Sequence, residues 1–330
     1  MPRIVAAALA LAALLAGCGG TSDLTGGDGA KLTLVAYSTP REVYAQLTKD
    51  FAKTAAGKGV AFDESYGSSG EQSRAVEAGL PADVVAFSLA PDVTRLVEAG
   101  MVDEGWADDD YDGMVTNSVV VFAVRKGNPK GIKTWDDLVK DGVEVIEPNP
   151  FTSGGARWNV MAAYGAQRAL GRSHEQAVAY LGELFKHVSV QDKSARESLQ
   201  TFTGGKGDVL LAYENEAILA KKKGEDLDYV IPKQTILIQN PVAVVSESDN
   251  ATKARAFVDY IRSDAAQKAF ADAGYRPVAK SVAGQFQYPL PPQLFTIDDV
   301  GGWKDVQTKF FDREDGIMAA IERDVGAALD

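Results

Sequence analysis

The chain has one cysteine, two histidines and no apolar run longer than 13 residues. A lone cysteine excludes an intrachain disulfide framework. His174 and His187 sit in or beside one amphipathic stretch. No His-Glu-x-x-His, Gly-x-Ser-x-Gly or cysteine-nucleophile motif accompanies them, so hydrolase chemistry lacks its usual parts. Basic residues are outnumbered, 34 against 46, for a formal charge of −12. A broad nucleic-acid surface needs the opposite balance. The longest apolar run, Ile4–Ala16, is too short for a bilayer core, which takes roughly 20 residues. What is present is globular: 45% hydrophobic and 24% charged over 330 residues, a length that suits two domains.

The short apolar run follows Arg3 and precedes Leu15-Ala16-Gly17-Cys18. This is the layout of a secretory leader, residues 1–17, with small residues before the cut. It also resembles a bacterial lipobox, in which Cys18 is lipidated and becomes the mature N-terminus. An ordinary cleavage site with an incidental cysteine is the competing reading. Loss of residues 1–17, which carry one base and no acid, takes the charge to −13. Residues 18–30, rich in Gly, Ser, Thr and Asp, read as a flexible tether.

From residue 31 onward, strand-like and helix-like segments alternate, which implies α/β architecture with helices flanking sheets. Strands are expected at Lys31–Ser38, Val60–Gly67, Asp83–Phe87, Val119–Lys126, Val143–Pro148, Val188–Gln191, Asp208–Tyr213 and Val242–Ser246. Helices are expected at Arg41–Ala56, Pro91–Gly100, Ala156–Leu170, Glu175–Lys186, Ser194–Phe202 and Asn215–Lys223, and as one long segment at Ala251–Ala273. Two apolar strands, near 119–126 and 241–246, are far enough apart to bracket an inserted domain. The expectation is two lobes, 31–118 with 246–330 and 119–245, joined by two crossing strands that form a hinge.

Four small-residue helix starts follow strands. They are Ser38-Thr39-Pro40, Ser68-Ser69-Gly70, Ser153-Gly154-Gly155 and Ser194-Ala195. Free N–H groups at a helix start favour an anion, and glycine lets a ligand approach the backbone closely. Any one of these is equally a plain cap with no ligand. Two fall in each expected lobe, so closure could aim all four at one anion. Arg41, Arg157 and Arg196 stand beside these turns. They are either direct counter-charges or surface arginines paired with neighbouring carboxylates, and the second reading is preferred because a dipole cage can serve without them.

Other motifs fall short. Asp108-x-Asp110-x-Asp112-Gly113 starts like an EF-hand loop but has Val119 where a bidentate Glu is needed. Gly204-Gly205-Lys206-Gly207 lacks the rest of a P-loop and precedes a strand. No metal and no cofactor are expected.

The same residues carry a resemblance. Arg125-Lys126-Gly127-Asn128-Pro129, Trp135-Asp136-Asp137-Leu138, Pro148-Asn149-Pro150 and Ser153-Gly154-Gly155-Ala156-Arg157-Trp158-Asn159 run in the order of the sulfate-binding proteins of ABC importers. Asp208-Val209-Leu210-Leu211-Ala212-Tyr213-Glu214-Asn215 and Leu294-Phe295-Thr296-Ile297-Asp298 continue it, so the likeness covers nearly all of residues 31–310. The resemblance implies a two-lobed periplasmic binding protein of type II topology that holds dehydrated sulfate by hydrogen bonds alone. It implies donors at Ser38 (backbone N–H), Ser69 (hydroxyl and N–H), Ser153 (hydroxyl), Gly154, Gly155 and Ala195 (N–H), and Tyr213. Two positions depart from the family. Ser38 stands where Asp is common, and Tyr213 stands where Trp is common, with an O–H at a different reach from an indole N–H. These departures leave sulfate, thiosulfate and molybdate open as ligands. A non-catalytic sensor of the same anion is a separate alternative to an importer's receptor. The implied setting is a monomer, lipid-anchored on the extracytoplasmic face, partnered by membrane permease subunits, with no enzyme activity.

Overall fold

The computed structural model describes residues 29–329. The expected leader, Cys18 and most of the tether lie outside the described residues. Strand and helix alternate first through β1 (Lys31–Tyr37), α1 (Arg41–Phe51), β2 (Ala61–Gly67), α2 (Ser69–Glu77), β3 (Val84–Ala86) and α3 (Ala90–Glu98). Next come β4 (Met114–Arg125), β5 (Val145–Ile146), α4 (Gly154–Ala169), α5 (His174–Lys186), β6 (Val188–Val190), α6 (Ala195–Thr203), β7 (Val209–Tyr213), α7 (Glu214–Lys222) and β8 (Leu227–Val230). The chain ends with β9 (Gln234–Val244), α8 (Ala251–Ile261), α9 (Asp264–Asp272), β10 (Arg276–Pro277), α10 (Lys280–Ala283), β11 (Gln293–Phe295), α11 (Gly302–Phe311) and α12 (Ile317–Val325).

The strands lie in the order β2-β1-β3-β9-β4-β7-β5-β6. In the first lobe β1 is parallel to β2 and β3, and β3 is antiparallel to the end of β9, with Val84 opposite Val244. In the second lobe β5 is parallel to β6 and β7, and β7 is antiparallel to β4 over Val120–Val124. Between the lobes run two long antiparallel strands, β4 and β9, with Val119 opposite Leu237 and Met114 opposite Pro241. These are the two crossing strands of a hinge. Each begins in one lobe and finishes in the other, so the boundary expected at 118/119 falls inside β4.

Each lobe has its own core because each sheet has apolar strands to cover. In the first, α1 turns Val43, Tyr44, Leu47 and Phe51 onto Leu32, Leu34 and Ala36 of β1, where they meet Phe257 and Phe270 of α8 and α9. This spacing is the apolar stripe of an amphipathic helix. In the second lobe Trp158, Met161, Leu181 and Phe185 pack with Phe122, Trp135 and Leu211.

Two expectations are corrected. The segment 251–273 is two helices, because Ser263 breaks it and caps the second, its Oγ accepting the Ala266 N–H at 3.4 Å. The tail 293–325 does not lie in the first lobe. β11 pairs with β9 over Gln234–Ile236, and Val306, Phe310, Phe311, Met318 and Ala319 join the second lobe's core. Phe310 sits edge-on to Tyr164 at 4.8 Å, and Trp303 edge-on to Trp158 at 4.7 Å. The outer faces of α4 and α5 are apolar, and the tail helices cover them. The chain therefore passes between lobes a third time, after β10.

Candidate functional site

Where the lobes meet, a small cavity is walled by the ends of strands and the starts of helices. The first lobe contributes Tyr37, Ser38 and Thr39 after β1, Gly67, Ser68 and Ser69 at the start of α2, and Ser88 after β3. The second contributes Ser153, Gly154 and Gly155 at the start of α4, Ser194 and Ala195 at the start of α6, and Tyr213 at the end of β7. All seven residues singled out in the sequence, Ser38, Ser69, Ser153, Gly154, Gly155, Ala195 and Tyr213, are brought to this one cavity. Ser88 was missed, and Tyr37 and Thr39, which flank Ser38 in one of the singled-out turns, had been given no ligand role. Ser88 was legible in principle, since a small polar residue directly after the apolar strand Val84–Ala86 repeats the pattern of the other turns.

Local geometry makes this wall a set of donors. Ser69, Gly154 and Ala195 occupy the first position of their helices and Gly155 the second, where a backbone N–H has no acceptor one turn back. Ser153 caps α4 and Ser194 caps α6, their Oγ atoms accepting the N–H groups of Ala156 and Glu197, both at 3.3 Å. An oxygen that accepts still has its own O–H to give. Four helix starts meet here, from α1, α2, α4 and α6. Each carries roughly half a positive charge, so together they oppose a dianion with about two. Among the described residues no carboxylate and no cationic side chain lines the cavity.

Ser69 departs from the role that the resemblance implied. Its hydroxyl donates to Asp92 Oδ2 at 2.5 Å, while its Oγ accepts the Ser88 N–H at 2.9 Å. Its only O–H is thus engaged, and its backbone N–H is the donor left for the cavity. Burial pushes the Asp92 carboxyl up, against the pull of Arg157, the Ser69 hydrogen bond, Arg95 and Arg74.

Ser88 ties the lobes together. Its hydroxyl lies 2.6 Å from the Tyr213 hydroxyl of the opposite lobe, and its carbonyl accepts from Trp158 Nε1 and Asn240 Nδ2, both at 2.9 Å. Burial holds the Tyr213 phenol well above its ordinary range, so it remains a neutral donor. Gly154 is needed for this approach: a Cβ there would fall 2.7 Å from Leu89 Cδ2 and 2.8 Å from Ser88 Cβ. The Gly70 N–H also crosses the cleft, to the Thr152 carbonyl at 3.2 Å.

None of the three arginines enters the cavity. Arg196 reaches across to the first lobe, gripping Glu42 with two nitrogens at 2.6 and 3.0 Å and the Thr39 carbonyl at 2.8 Å. Burial alone would push the Glu42 carboxyl up, but the hydrogen bonds from Arg196 and Lys223 outweigh it and hold the group at about 2. Arg157 is held by the Pro150 carbonyl and Gln307, and Arg41 lies over the Tyr66 ring. Among the described residues no His, Cys, Asp and Glu cluster could hold a metal ion. In the EF-hand-like loop, Asp109 Oδ2 instead pairs with Arg262 at 2.7 Å.

Two lobes that close on a cavity of directed neutral donors define a receptor for a small anion. Comparison with known proteins agrees. A family model described as bacterial extracellular solute-binding protein matches residues 32–276. The sulfate-binding protein of Synechococcus elongatus is 44% identical over 321 residues, 92% of each chain. That of Escherichia coli is 41% identical over 295 residues, 85% of this chain and 90% of its own. The solved sulfate-binding protein SubI of Mycobacterium tuberculosis superposes with a TM-score of 0.83 at 44% identity, covering 86% of this chain and all of its own. The chain belongs to the sulfate-binding protein family of the bacterial extracellular solute-binding proteins.

Proposed function

We propose that this protein captures sulfate between its lobes and delivers it to the permease of an ABC importer, without catalysing a reaction. The observation that carries the reading is the convergence of helix starts and hydroxyl groups from both lobes, Tyr213 among them, on one small cavity with no charged side chain in its wall among the described residues. Fully ionised sulfate has only acceptors, and a donor wall satisfies it. Hydrogen phosphate carries a proton that needs an acceptor, and no carboxylate in the wall supplies one. The ligand donors in this reading are the N–H groups of Ser38, Ser69, Gly154, Gly155 and Ala195, with the hydroxyls of Ser153 and the Ser88–Tyr213 pair.

The lobes are 31–118 with 246–292 and 119–245 with 293–329, and they close about β4 and β9. Residues 1–17 direct export, and Cys18 carries a lipid that keeps a monomeric body at the extracytoplasmic face of the membrane. A multiply acylated cysteine gives a firm anchor, where one chain alone binds reversibly. Calorimetric titration with sulfate, thiosulfate, molybdate and phosphate tests the ligand. Sulfate binds tightest and phosphate at least tenfold more weakly; phosphate within that margin refutes the reading of the wall. Loss of labelled-sulfate uptake on gene deletion separates an importer from an anion sensor, which leaves uptake intact.

A further inference from the structure

A second cleft opens behind the cavity, and it carries the charge that the cavity lacks. It holds about 840 Å³, and its walls include Arg74 of α2, Arg95 of α3, Arg157 of α4 and Arg313 between α11 and α12. Four guanidinium groups share one surface of a protein with a formal charge of −12. The acids at the same rim are Asp312 and Glu314. Asp312 Oδ1 is already used by the N–H groups of Glu314 and Asp315.

The arginines are only partly neutralised: the buried Asp92 carboxyl attracts Arg157, Arg95 and Arg74 without a close ion pair. Among the described residues Arg74, Arg157 and Arg313 form no ion pair within 4.0 Å, and the pair of Arg95 with Glu77 is long, at 3.5 Å. The Arg95 Nε is buried without a hydrogen-bond partner. Arg157 is fixed for use: its guanidinium lies 4.9 Å from the Phe311 ring centre, with Nε held by the Pro150 carbonyl and Nη1 by Gln307. That arrangement leaves Nη2 to give. Burial first, opposed by the attraction of Asp92 and then aided by repulsion from Arg95, Arg74 and Arg313, lowers Arg157 to about 10. Such crowding of like charge is unfavourable until an anion enters, and the planar fork of arginine suits carboxylate and phosphate oxygens.

We propose that this cleft is a second anion site, separate from the sulfate cavity, that binds a small polyvalent oxyanion with at least two anionic groups. Its walls come from both lobes, since α2 and α3 belong to the first, while α4 and the tail that carries Arg313 pack in the second. An anion here bridges the lobes and favours the closed form. It also sits next to Asp92, which receives the Ser69 hydroxyl behind the sulfate cavity. Sulfate and the second anion therefore tighten one another by the same factor.

The test is calorimetric titration of the protein with sodium pyrophosphate and, in parallel, citrate, each with and without saturating sulfate. One saturable site, tighter in the presence of sulfate, is the expected result, and the tighter probe assigns phosphate or carboxylate chemistry. R74Q/R313Q should weaken the probe by at least about tenfold while its sulfate affinity stays within about threefold. The sulfate titration shows that the variant is folded, and it tests the proposed function on its own. Saturable binding of neither probe overturns the site. So does unchanged probe affinity in R74Q/R313Q, or displacement of sulfate by the probe.

Discussion

The Ser88–Tyr213 pair allows a sharp test of how the cavity is wired. Two hydroxyls 2.6 Å apart hold two hydrogens between them. One hydrogen is spent on the bond across the cleft, and one is left for the anion. In Tyr213→Phe the Ser88 hydroxyl is released and can turn to the ligand, although it loses its partner. In Ser88→Ala the Tyr213 phenol is released in the same way. Each single variant should lose the interlobe bond, about 1 kcal/mol or roughly fivefold in sulfate affinity. The double variant S88A/Y213F should lose the donor to the anion as well. A hydrogen bond to a charged group contributes about 1.5–3 kcal/mol, so the double variant should be weaker by roughly a hundredfold or more. The loss exceeds the sum of the singles, because each hydroxyl covers for the other. Calorimetry on all four proteins at one ionic strength measures it. Additive losses would refute the shared-hydrogen argument, and a double variant with near-normal affinity would remove the pair from the site.

Gly154→Ala places a methyl against Ser88 and Leu89 of the facing lobe; sulfate affinity should fall at least tenfold with little change in the melting temperature of the unliganded protein, and equal affinity would show that closure has slack. Glu42→Gln breaks the two-point grip of Arg196 across the cleft; a partly exposed pair of this geometry is worth about 1 kcal/mol, read as a several-fold faster release of sulfate by stopped flow. Because Glu42 is held at about 2, its contribution is present above its ordinary range and lost only as pH falls through about 2, so release should show no pH dependence from this pair between pH 5 and 8. Glu322 behaves in the opposite sense: burial raises it to about 7, against the Gln191 hydrogen bond, and its Oε1 has no partner. Stability attached to its neutral form is full below its ordinary value and is lost as pH rises through about 7. Glu322→Gln should therefore raise the melting temperature at pH 8, by up to about 3 kcal/mol of stability, and have little effect at pH 4.5; destabilisation at pH 8 would contradict this.

Much of the first lobe was readable because its strands are apolar and its helix starts are marked by Ser, Gly and Pro. β8, β10 and β11 were not, since Leu227–Val230, Arg276–Pro277 and Gln293–Phe295 are short and carry little period-two signal. Most of β9 was also missed, because Gln234, Gln239 and Asn240 interrupt its apolar run. Asn240 is fully buried there and is satisfied by the Ser88 carbonyl and Thr116. A polar residue looks like a loop in sequence and is a strand residue only once its partner is known. The tail helices escaped notice for a related reason: Trp303 and Phe310 have meaning only against Trp158 and Tyr164.

The sequence by itself determined the chemistry of the wall. Ser, Gly, Ala and Tyr after strands supply donors and no charge, and capping and glycine freedom are local effects that a few adjacent residues decide. Only the tertiary structure decided which donors are free and where the arginines go. Ser69 gives its hydroxyl to Asp92, 23 residues away, and Arg196 grips Glu42, 154 residues away. Four arginines from distant segments share one cleft behind the cavity. Those outcomes depend on contacts that form only when both lobes pack, and no local rule contains them.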